Sequence, residues 1–122
     1  MSAGLRAYAQ ISLAVMSSKQ ASVLVHEGLC REIAAAKAAY RARRLDQMCR
    51  HLDKCSRVLL ALRADLKPAP GGAGPAILAG FYLHLFENLR TILRQADIEA
   101  AYDQQIRMLR VFCEKMRAVT QS

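Results

Sequence analysis

The chain has 122 residues, with eighteen lysines and arginines against ten acids and a formal charge of +8. That length accommodates one domain with one modest core, and no stretch is long and apolar enough to span a membrane. The residues are 53% hydrophobic but only 6% aromatic, without tryptophan; alanine and leucine supply much of the apolar content and favour helix, while glycine and proline are too few for a turn-rich sheet protein. The positive charge can draw in nucleic acid, an anionic membrane or an acidic protein, and does not choose among them. An arginine-rich composition without functional consequence gives the same total.

Residues 1–17 are expected to form a first unit, an N-terminal arm with apolar anchors that include Tyr8 and Ile11. Ser17 and Ser18 then offer a cap, and a helix is predicted over residues 19–41. Val25, Leu29, Ile33, Ala36 and Tyr40 form its stripe. Within it, SVLVHEGLCREI places His26, Glu27 and Gly28 in an aliphatic run. Adjacent helical residues do not face one another, so His26 and Glu27 are a poor acid/base pair. Gly28 thins the helix surface, which suits a shallow receptor surface or a tolerated defect.

The basic turn Arg41, Arg43 and Arg44 precedes a second helix. Leu45, Met48, Leu52, Cys55, Leu59, Leu62 and Leu66 recur at alternating intervals of three and four, a heptad seam suited to a bundle. KPAPGGAGP, residues 67–75, ends the helical pattern. It lacks the Gly-Lys-Ser/Thr ending of a phosphate-binding loop, and Pro75 fits the first turn of a third helix. Leu78, Tyr82, Leu85, Leu89, Ile92 and Ala96 mark the third seam, widened by Phe81, Phe86 and Leu93. IEAAYDQQ reads as a joint with Asp103 as cap, and Ile106, Leu109, Cys113 and Met116 define the fourth helix. The expected fold is all-α: an antiparallel four-helix bundle over residues 18–122, behind the arm.

Cys30, Cys49, Cys55 and Cys113 sit inside apolar periodic segments, with no secretory signal read ahead of them. Cys49 and Cys55 would lie roughly 9 Å apart along a helix axis, too far for a disulfide. Reduced, buried thiols in a cytoplasmic protein are expected. His26, His51 and His84 fall on three helices without paired Glu-x-x-His motifs, so neither metal nor cofactor is expected. No nucleophile stands with an oriented base, which argues against an enzyme. The competing reading, a basic helical nucleic-acid-binding or regulatory protein, rests on charge alone. The basic residues are spread over all helices without the aromatic interleaving of a single-strand binder.

Tyr8 in the arm, Ser17-Ser18 at the helix start, His26-Glu27-Gly28 and the alanine-rich continuation together resemble the flagellar secretion chaperone family, the small export chaperones for flagellin. LDQMCRHLDKCSRVLLALRADL is similar to the family's second helix and residues 81–93 to its third; MLRVFCEKMR matches the fourth more loosely. The chain departs from the family at Ser18 in place of proline, at Ala21 in place of a larger aliphatic, and at His26 in place of tyrosine. The resemblance implies a cytoplasmic chaperone for type III protein export in flagellum biogenesis. It would bind the disordered C-terminal segment of flagellin, prevent premature polymerisation and engage export-gate components, with the arm covering part of the client surface when no client is bound. The expected resting state is a monomer or weak homodimer. Groove contacts are expected from Tyr8 and Ile11 in the arm and from Val25, Leu29, Cys49, Ser56, Leu60, Tyr82 and Phe86 on the bundle, where ordinary core packing is the competing reading. Arg50 and Arg57 would steer an acidic segment or simply face solvent.

Overall fold

The computed structural model describes residues 18–66 and 74–121; the arm, the Ser17 cap position and residues 67–73 lie outside the described residues. The described chain forms α1 (Ser18–Arg41), α2 (Leu45–Ala64), α3 (Gly74–Arg90), a 3-10 turn (Ile92–Arg94) and α4 (Ile98–Gln121), with no strand among the described residues. This is the all-α four-helix arrangement that the seams require. Helix α1 packs closely against α2 and α4, α2 packs against α3, and α3 meets α4 at fewer points.

Small residues explain that asymmetry. Ala36 and Ala39 of α1 are buried in the core cluster, so backbones approach there, whereas α3 and α4 meet through the bulky rings of Phe81 and Phe112. The Phe81 and Phe112 ring centroids are 4.9 Å apart. Leu29, Ile33, Met48, Cys55, Leu59, Leu85, Leu89 and Leu109 fill the centre at 2% exposure or less. Burial of each large aliphatic side chain contributes about 1.5–3 kcal/mol before entropy is counted.

The α1–α2 connection is a Schellman closure. Arg44 N donates to Ala39 O at 2.8 Å and Arg43 N to Tyr40 O at 3.0 Å. Arg43 occupies the left-handed position, φ 59°, where glycine is the usual occupant. Three antiparallel pairs fix α1 against α4: Arg41–Glu99 at 2.9 Å, Lys37–Asp103 at 2.6 Å, and Glu27–Arg117 at the opposite end. Between α1 and α2, His51 Nδ1 lies 2.5 Å from Glu32.

Several expectations are corrected. Helix α3 stops at Arg90, and Ile92 reaches the core through the 3-10 turn, 1% exposed, while Leu93 and Ala96 face solvent. Thr91 Oγ1 donates to Glu87 O at 2.9 Å, a local bond that competes with helix continuation. IEAAYDQQ is the beginning of α4 rather than a joint. Its cap is Asp97, whose Oδ1 accepts from Ala100 N at 3.0 Å; Asp103 lies inside the helix and pairs with Lys37. Leu45 is 51% exposed at the end of its seam, and Cys49 is an exposed thiol rather than a buried one. All four cysteines are free.

Candidate functional site

His26 is wholly buried, and the sequence had placed Val25, not His26, in the stripe. Val25 is half-buried. The imidazole sits between α1, α3 and α4. Its Nδ1 is 2.6 Å from Ser22 O and its Nε2 is 2.8 Å from Tyr82 Oη. A carbonyl only accepts, so Nδ1 carries the proton and Nε2 accepts from the tyrosine hydroxyl. The ring also packs on Phe112, with centroids 4.9 Å apart. Burial lowers the His26 pKa from its ordinary value, against a smaller opposite pull from the Ser22 carbonyl. Burial pushes the Tyr82 hydroxyl up to about 12. A neutral, doubly bonded imidazole sealed under aromatic rings is a structural strut joining α1 to α3. The signal for it was the spacing His26, Leu29, Ile33 and Ala36, which continues one helical stripe.

The other candidate residues divide by helix face. On α2, Met48, Cys55 and Leu59 point inward, and His51 and Lys54 meet Glu32 of α1. Helical geometry therefore puts Cys49, Ser56 and Leu60 on the opposite flank, toward α3. On α3, Phe81 meets α4, which leaves Phe86 on the flank toward α2. Cys49, Ser56, Leu60 and Phe86 thus border one α2/α3 flank. Leu60 is 46% and neighbouring Leu83 37% exposed, while Ser56 and Phe86 are half-buried. Val25 is on α1, seven residues before Glu32 and by helical spacing on the same face, so it does not join them. Leu29 and Tyr82, 2% and 3% exposed, are part of the core, and Tyr8 and Ile11 lie outside the described residues.

This flank is a partly exposed, largely apolar surface. Its basic groups are largely engaged locally: Arg57 pairs with Asp53 at 2.9 Å and Arg50 with Asp46 at 3.3 Å, while exposed Arg63 has no ion-pair partner among the described residues. The Cys55 thiol, pushed up to about 12 by burial and then by the Glu32 carboxylate, is a core filling and not a nucleophile. His84 bonds Asn88 at 3.0 Å rather than Glu87, which pairs with Arg90. Among the described residues no group of three His, Cys, Asp or Glu side chains is placed to hold a metal, and no helix is long and apolar enough to cross a membrane.

The described residues define the class of all-α four-helix proteins, here with a partly exposed apolar flank and a core histidine used as a strut. The family model described as "Flagellar protein FliS" matches residues 1–122, and the chain belongs to that family. Its members are chaperones and not enzymes, and membership carries the general chaperone and export role in flagellum biogenesis. Compared individually with curated proteins, the chain matches none.

Proposed function

We propose that this protein is a cytoplasmic export chaperone that binds the disordered C-terminal segment of flagellin, prevents its premature polymerisation and assists its type III secretion. The family match along the whole chain carries this reading. The α2/α3 flank is the receiving surface: an amphipathic client segment lays apolar residues against Leu60, Leu83 and Phe86, with Cys49 and Ser56 at its border. The client folds as it binds, so ordering consumes part of the contact energy and the complex remains reversible. Val25, Leu29 and Tyr82 contribute by holding the helices that frame this surface. Residues 1–17 act as an arm, with Tyr8 and Ile11 covering part of the client surface in the free protein, and residues 18–122 form the chaperone domain. Export-gate components are the second partner class, and the free chain is a monomer or weak homodimer.

Copurification with flagellin tests this function, followed by titration with the flagellin C-terminal segment and with flagellin lacking that segment. Retention of full-length flagellin and loss of the truncated form is the expected result. Equal retention of both forms would move the client site elsewhere on flagellin.

A further inference from the structure

The α1/α4 face carries a second feature, separate from the α2/α3 flank and independent of the flagellin reading. Along this face the two helices are joined by opposite charges, with Arg41–Glu99 and Lys37–Asp103 toward one end and Glu27–Arg117 toward the other. The ladder is interrupted in its middle. Arg31 and Arg110 lie between the paired rungs and have no acidic partner among the described residues. Both line a cleft of about 360 Å³, within the lower range of ligand-binding clefts. Its lining also includes Cys30, Ala34 and Cys113, which are small and weakly polar.

We propose that this cleft docks an acidic segment of a protein partner, taking one carboxylate between Arg31 and Arg110 and an adjoining aliphatic side chain over Ala34 and Cys30. Guanidinium groups grip carboxylates through paired, charge-assisted hydrogen bonds, and the three arginines of the cleft outnumber its two glutamates, so two exposed arginines that no ion pair engages among the described residues are complementary to such a group. The apolar lining gives a neighbouring aliphatic side chain a place to be buried. Glu27 and Glu114 also line the cleft and repel a run of phosphates, so the charge pattern selects a discrete acid over a polyanion such as nucleic acid. Arg117 is engaged by Glu27, which leaves the carboxylate to the other two arginines.

The test uses the full chain labelled with nitrogen-15 and three probes: acetyl-Leu-Glu-Leu-amide, acetyl-Leu-Gln-Leu-amide and sodium phosphate. The glutamate peptide is expected to produce saturable shifts at the amides of residues 30–34 and 110–114, with affinity on the order of millimolar that weakens as salt is added. The glutamine peptide should bind about fivefold more weakly, and the R31Q/R110Q variant should lose about tenfold in affinity for the glutamate peptide. Both replaced side chains are exposed, and an unchanged circular dichroism melt verifies the fold of the variant. Absence of saturable shifts at these amides would overturn the proposal. So would equal binding of the two peptides, or phosphate alone shifting the same amides as tightly. Flagellin binding by R31Q/R110Q should be unchanged, which separates this cleft from the client surface.

Discussion

The buried pair of His26 and Tyr82 makes a prediction that can be worked through in magnitude. Tyr82→Phe removes the hydroxyl that donates to His26 Nε2 at 2.8 Å and leaves a wholly buried acceptor without a partner. Such an orphaned polar group costs about 1–3 kcal/mol. The double variant His26→Phe/Tyr82→Phe removes both polar groups and keeps aromatic volume in the site, so it should recover most of that loss. The pair also sets a pH dependence with a definite sign. The folded-state pKa of His26 is held below its ordinary 6.5 by burial, so the unfolded chain takes up a proton first as pH falls. Stability from this group is therefore intact above about pH 6.5 and declines below it, by up to about 1.4 kcal/mol per pH unit until the folded-state pKa is reached. Chemical denaturation of the wild-type chain and the two variants between pH 5 and 8 (a range spanning about 1.5 units on either side of the ordinary value) measures both effects. Subtracting the double variant's pH profile isolates His26 from the other titrating groups. A wild-type profile parallel to that of the double variant would refute the buried neutral imidazole. So would a Tyr82→Phe melt equal to wild type.

Leu60→Glu places a charge on the exposed α2/α3 flank and should weaken binding of the flagellin segment about tenfold, near 1.4 kcal/mol, with thermal stability unchanged; unaltered affinity in a calorimetric titration would remove this flank from the client site. Asp97→Ala deletes the α4 cap and should cost about 1 kcal/mol in a denaturant melt, whereas Asp103→Ala should leave the α4 start intact. Gly28→Ala should raise stability by up to about 1 kcal/mol. The added methyl would meet only a guanidinium nitrogen of Arg31, 3.8 Å away, and a destabilised variant would show that the thin surface at Gly28 is required by packing.

The second helix was the most legible part of the sequence. Its three-four spacing fixed the inward line, and Met48, Cys55 and Leu59 are buried along it. The end of α3 was read poorly because Ile92 continues the helical spacing while its backbone does not: the 3-10 turn keeps Ile92 in the core after the helix has ended. The start of α4 carried a readable signal, Asp97 ahead of an amphipathic run, but polar Asp103 drew the boundary into the helix. Asp103 is polar there because it answers Lys37 across the interface, and a partner 66 residues away leaves no local trace. The same holds for His26, whose spacing fitted the core but whose hydroxyl partner is 56 residues distant. Helix faces could be assigned from periodicity; the division of seam-edge residues between core and flank required the packing. That is why Leu29 and Tyr82 sit inside while Leu60 stands out.

Capture of a flagellin C-terminal segment that orders as it binds is the central event of the proposed function. Isothermal titration of the full chain with that segment, paired with circular dichroism of the mixture, measures both parts at once. A saturating one-to-one complex with Kd below about 10 µM and more helix than the sum of the separate components is the predicted result. No binding heat and no gain of helix at protein concentrations of about 50 µM, five times that limit, would contradict it.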